Sequence, residues 1–142
     1  MNSTFQNALA FLGRLALVAL FLPAGLSKIS GFEGTVGYIN SVGLPLAAVG
    51  AVIAIIVEVG GGLALLTGFF ARPAALILAL FTAVASVIFH AYWAVPAEQA
   101  FVQQLFFYKN LAVIGGLLIL AAYGPGAWSV GVGVGAGQGS KK

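Results

Sequence analysis

The sequence predicts an all-α fold, an integral membrane four-helix bundle with a short interfacial helix between spans 1 and 2. Three observations carry that reading. Hydrophobic residues make up 61% of the 142-residue chain and charged residues only 6%, where a water-soluble domain carries about 25% charged residues. Four apolar runs are long enough to cross a hydrocarbon layer of about 30 Å, which takes about 20 helical residues. Pro45 and Pro73 fall at the starts of two of those runs and Gly124-Pro125-Gly126 just after the last, as they do where helices begin and end.

The spans are expected at about 7–26, 44–70, 73–95 and 102–123, so that 1–128 form one membrane domain. The first run has no basic leader, carries Arg14 within it and lacks a small-residue cleavage site; it reads as a span and not as a cleaved signal peptide. Between spans 1 and 2, Ile29, Phe32, Val36 and Ile39 recur at helical spacing, which predicts a short helix lying in the interface over the bundle. Pro45 and Pro73 sit at helix starts, where a missing N–H costs little. Ala71-Arg72-Pro73 marks a hairpin, and 96–101 a short acidic loop. Gly124-Pro125-Gly126 stops the fourth span, and 129–142 read as a flexible glycine-rich tail ending in Lys141-Lys142.

Composition removes several classes of function. The net charge of +3 comes from six scattered basic residues, not from a patch on one face, so nucleic acid is not an expected partner. No Walker loop, dinucleotide fingerprint or calcium loop is present. With no cysteine and one histidine, the chain encodes no thiolate metal site, iron–sulfur cluster or other metal centre of its own. Any redox chemistry must be supplied by a bound molecule or a partner. Short-loop lysines and arginines favour both termini in the cytoplasm, with Arg72, Lys141 and Lys142 on that side and Lys28, Glu33 and Glu98 opposite.

Ionisable groups at membrane depth are the informative ones, because hydrocarbon penalises them unless they are paired or face a cavity. At about 1.5 Å per residue, Arg14 lies about 10 Å above the cytoplasmic edge, Glu58 about 18 Å, Lys109 about 20 Å and His90 about 26 Å. A carboxyl at the depth of Glu58 is either protonated or paired with Arg14 or Lys109, and height favours Lys109. The glycines at 60–62 give either a helix-packing surface or a slot beside the acid. Thr82, Ser86 and His90 follow at i, i+4 steps and form one polar stripe on the third span. With Asn110, Gln103, Gln104 and Tyr108 they outline a polar pocket in the outer half of the membrane. His90 is there either a proton donor and acceptor or an interfacial anchor beside Tyr92 and Trp93. The aromatic set Phe101, Phe106, Phe107, Tyr108, Tyr92 and Trp93 suits a flat ring or a lipid-facing belt, of which the belt is the commoner arrangement.

Four segments in order carry a resemblance: GRLALVALFLPAGLSKISGF in the first span, EVGGGLALLTGFFARPAALIL across the second hairpin, the histidine closing the third span, and KNLAVIGGLLILAAYGPGAWS in the fourth. Over about 8–130 the chain resembles the DoxX family of small four-helix bacterial inner-membrane proteins. By position, the family's polar core maps onto Arg14, Lys28, Glu58, Arg72, His90 and Lys109. One departure stands out: relatives usually carry an aspartate just after A-W-S, where this chain has Ser129-Val130-Gly131. The resemblance implies a place in membrane oxidoreductase systems, including quinone-linked ones, beside a soluble or membrane partner. The expected function is therefore the membrane subunit of a quinone-linked redox system. Arg14, Glu58 and Lys109 would hold the pocket, Thr82, Ser86 and Asn110 line it, and His90 exchange protons. A non-catalytic assembly subunit of a larger membrane complex is the alternative, and a solute carrier a third.

Overall fold

A computed structural model describes residues 3–130. Its elements are α1 (Ser3–Ser30), α2 (Phe32–Ser41), α3 (Ala47–Ile55), a π turn (Ile56–Gly60), α4 (Gly61–Thr67), α5 (Ala71–Phe89) and α6 (Ala97–Tyr123). The π turn joins α3 to α4 without a break, so four helices are long and apolar enough to cross a membrane: Ser3–Ser30, Ala47–Thr67, Ala71–Phe89 and Ala97–Tyr123. The chain is an all-helical four-span membrane bundle. Of the glycine-rich tail, all but Ser129 and Val130 lies outside the described residues.

The boundaries differ from expectation for identifiable reasons. The first span does not end at 26. The Ser27 hydroxyl bonds the Ala24 carbonyl at 2.8 Å and the Ser30 hydroxyl the Ser27 carbonyl at 3.1 Å, so polar side chains are absorbed by the helix itself and α1 runs on through Lys28. The third span stops at Phe89, because His90 leaves helical geometry at φ −127°. The fourth begins at Ala97, not 102. Pro96 presents its carbonyl to the amides of Gln99 and Ala100, and Glu98 in the first turn suits the positive end of the helix. At the other end, Gly68 closes span 2 in the left-handed region at φ +80°, donating its amide to the Ala64 carbonyl.

The core is built from one stripe per helix: Val18 and Phe21 of α1, Leu65 of α4, Ala71, Ala75, Leu78 and Ala79 of α5, and Leu117 and Leu120 of α6. Neighbours follow from those stripes. α1 lies along the π turn and α4, α5 packs most heavily on α6, and α6 meets α1 only lightly. Three glycines permit the close crossings. A Cβ on Gly25 would meet Val59 at 2.7 Å, one on Gly61 would meet Leu78 at 2.8 Å, and one on Gly62 would meet Leu22 at 3.0 Å. Gly61 and Gly62 are thus packing surfaces toward α5 and α1.

The expected short helix is α2. Its Ile39 is buried with Ala47 and Ala51, flanked by Phe32, Val36, Leu44 and Phe89, and Tyr38 stacks on Phe89 at 5.3 Å. It covers the end of the bundle distant from the termini. Ile29, the first member of the predicted stripe, belongs to α1 and is exposed.

Candidate functional site

The buried residues of α1, Arg14, Val18, Phe21 and Gly25, recur at four- and three-residue steps, and the next position in that series is Lys28. Its side chain slants back toward the helix N-terminus, as helical side chains do, bringing Nζ to 3.5 Å from the Ala24 carbonyl. From there the amine donates to both carboxylate oxygens of Glu58, at 3.0 and 2.7 Å. The partner of Glu58 is therefore Lys28, not Lys109 or Arg14. Height alone misled, because it ignored which helices are neighbours and how far a lysine reaches back along its own helix. Gly25 brings α1 against the backbone at Val59, and the π turn carries Glu58 into the seam. The pair is half-covered: side-chain exposure is 27% for Lys28 and 9% for Glu58. An apolar groove of about 440 Å³, lined by Ile56, Val57, Gly60, Phe70, Pro73 and Ile77, backs onto the same π turn.

The polar stripe of α5 turns inward. Thr82 and Ser86 are both buried; each hydroxyl donates to the carbonyl four residues back, at 2.7 and 2.6 Å. Ser86 Oγ also accepts from Asn110 Nδ2 at 3.0 Å, across the seam to α6. One turn further, His90 Nδ1 lies 2.8 Å from Gln103 Oε1. Taking the glutamine oxygen as acceptor, Nδ1 carries the ring proton and Nε2 presents a lone pair. His90 also packs against Phe106, with ring centres 5.2 Å apart. A ladder of side-chain bonds thus closes the α5–α6 seam, and Glu58 takes no part in it. Gln103 was legible only as spare hydrogen-bonding capacity; its pairing with His90 follows from the early start of α6.

Around the ladder lies an aromatic rim. Tyr92 contacts Trp93, Phe107 and Tyr108, and Trp93 contacts Phe107, all with ring centres 5.0–6.2 Å apart. A hydrogen bond with Tyr108 pushes the Tyr92 phenol above its ordinary range.

The two remaining charges of the expected pocket go elsewhere. Lys109 is exposed on the outer face of α6, its Nζ 4.7 Å above the Phe106 ring. Arg14 is 1% exposed and donates from Nη2 to the Trp128 carbonyl at 2.6 Å. Arg14, Glu58 and Lys109 do not meet; they occupy three separate places. Among the described residues, no three His, Cys, Asp or Glu side chains converge as a metal site would require.

The DoxX family model matches residues 9–91. The Escherichia coli inner membrane protein YphA is 37% identical over 125 residues, covering 88% of this chain and 89% of its own length. The E. coli inner membrane protein YqjF is 42% identical over 117 residues, 82% of this chain and 85% of that one. A surfeit locus protein 4 homolog of Schizosaccharomyces pombe is 38% identical over 65 residues, 44% of this chain and 22% of that one. No solved structure matches the sequence significantly. With more than half its length matched by the family model, and two relatives sharing over a third of their residues along most of their lengths, the chain belongs to the DoxX family.

Proposed function

We propose that this protein is the membrane subunit of a quinone-linked redox system, residing in a bacterial inner membrane with both termini in the cytoplasm. The observation that carries the reading is the His90–Gln103 pair. A histidine sits at the membrane-surface end of α5, its Nδ1 fixed by an amide and its other ring nitrogen available, with aromatic rings gathered beside it. A quinone, or a comparable flat substrate, suits that rim. When bound, it supplies the electron acceptor that this sequence does not encode, and the electrons come from a partner protein or a co-substrate. The chain's own residues hold the ring and exchange the proton. Gln103 sets the His90 tautomer, Asn110 and Ser86 fix α6 against α5 beneath it, and His90 Nε2 takes up and releases the proton. The Lys28–Glu58 pair serves as a fastening between α1 and span 2. The inner-membrane location rests on the two E. coli relatives. The cytoplasmic termini rest on Arg72, Lys141 and Lys142.

The test is His90→Phe in the assembled system. Insertion and folding should persist while quinone-linked turnover is lost, and Gln103→Leu should lower turnover with a shifted pH profile. Full activity of His90→Phe would reduce His90 to an anchor. A second reading, a non-catalytic assembly subunit, is favoured by one feature: Lys109 on an uncovered face of α6, where lipid alone is a poor neighbour for a cation. Co-purification of a stable complex that breaks on Lys109→Leu, with no quinone bound, would favour it.

A further inference from the structure

Among the described residues, Arg14 is the largest buried polar side chain and the least satisfied. Its Nη2 has the Trp128 carbonyl, but Nε and Nη1 are buried with no hydrogen-bond partner among the described residues. Among the described residues no carboxylate pairs with it, and the ion pair joins Lys28 to Glu58. A guanidinium out of water with two donor positions unmet is costly. Its planar fork is also the group best shaped to grip two oxygens of an oxyanion.

What covers it is a strap rather than a helix. Residues 124–130 follow α6 and fold across the end of the bundle that bears the first turns of α1 and the end of α4. Trp128 rests edge-on against Phe11 at 6.1 Å. The Val130 amide bonds the Thr67 carbonyl at 2.7 Å, and the Ala127 amide reaches Asn7 Oδ1 at 3.3 Å. Gly124 and Gly126 both sit at positive φ, +88° and +80°, and give the strap two swivels. Arg72 packs its guanidinium on Gly124, while Arg14 and Ser129 both press on Gly68. Two arginines therefore grip one short strap at its two ends, with no described acid between them.

We propose that Arg14 is the floor of an oxyanion site that takes a phosphate group, and that residues 124–130 are its cover. The phosphate is drawn either from solution or from a phospholipid headgroup at the membrane surface. It bonds Nη2 together with Nε or Nη1, the two edges of the Arg14 fork, as the strap swings on its glycines and takes the Trp128 carbonyl off Nη2. This site lies at the opposite end of the bundle from His90 and is independent of the quinone reading.

The experiment uses the full chain carrying Trp93→Phe, so that Trp128 is the single tryptophan, in nanodiscs of zwitterionic phosphatidylcholine or of phosphatidylcholine with phosphatidylglycerol. Inorganic phosphate is titrated while Trp128 emission is followed. A saturable change with inorganic phosphate in the zwitterionic discs identifies a free anion. A change already present in the phosphatidylglycerol discs identifies a headgroup. Either should weaken at least about tenfold in Arg14→Gln, the loss of roughly one charged hydrogen bond. If that variant does not fold, Arg14→Lys keeps the charge but not the fork and should also weaken the response. Lys109→Gln, which removes an equal charge elsewhere, should respond like the parent. The proposal falls if neither phosphate nor phosphatidylglycerol alters Trp128, or if the Arg14 variants respond as the parent does.

Discussion

Replacing Glu58 with glutamine removes the charge from the α1–span 2 seam while keeping the shape of the side chain. The parent pair makes two charge-assisted bonds, at 3.0 and 2.7 Å, and breaking a fully buried pair costs about 3–5 kcal/mol. Lys28 keeps 27% of its side-chain surface exposed, so its ammonium retains part of its hydration once the acid is gone. The expected loss is therefore lower, about 2–3 kcal/mol. Much of that loss is an uncompensated cation and not a missing attraction, which makes a specific forecast possible. Adding Lys28→Met to Glu58→Gln should recover at least about 1 kcal/mol, because the stranded charge is removed. Adding Lys109→Met should recover nothing, since Lys109 lies on the far face of α6. The measurement is reversible unfolding of the parent, Glu58→Gln, Lys28→Met, Lys109→Met and the two double variants in mixed detergent micelles, followed by circular dichroism and analysed as double-mutant cycles. A Lys28–Glu58 coupling below about 0.5 kcal/mol, the ordinary error of additivity, would refute the reasoning. Equal rescue by Lys109→Met would refute it as well.

Gly25→Ala should destabilise by about 1–3 kcal/mol, because the added methyl meets Val59 Cγ2 at 2.7 Å and its backbone nitrogen at 2.9 Å. Gly115→Ala on α6 meets nothing within 4 Å and should be neutral or stabilising by up to about 1 kcal/mol in the same unfolding assay. Ser86→Ala strands the Asn110 amide and should cost about 1 kcal/mol, part of which Asn110→Leu restores in the double variant. Single cysteines at the exposed Ser41 and Ala97 should react with an impermeant thiol reagent from the periplasmic side, and one at the exposed Phe69 should not; the reverse pattern would invert the orientation.

Span number and sequence were legible because hydrocarbon length and charge scarcity leave few alternatives, and the polar stripe on α5 because a four-residue step is a property of one helix. Partners across helices were not legible in the same way. Lys28 looked like a loop residue after G-L-S-K, yet Arg14, Val18, Phe21 and Gly25 already described a buried face whose next member was Lys28. The continuing periodicity was the available signal, and the serines that seemed to interrupt it bond within the helix. Glu58 was correctly singled out as an ionisable group at membrane depth, but its neighbour depends on helix adjacency, which the glycine at 25 sets and no count of residues reveals. Arg14 had no readable partner because its bond goes to a main-chain carbonyl, and any residue at position 128 offers one.

The π turn at Ile56–Gly60 gives the second span one residue more than a regular helix of the same length would hold, and such wide turns recur at functional positions in helices. A surplus residue of this kind is a movable defect. If it passed one turn toward Gly50, the residues it crossed would each rotate by about 100°, one residue's share of a regular turn, while the helix ends stayed in place. Glu58 lies inside the defect itself. A change of register confined to a few backbone bonds would thus turn its carboxylate out of the α1 seam. No helix would need to tilt, slide or leave the membrane for the charge to change its surroundings.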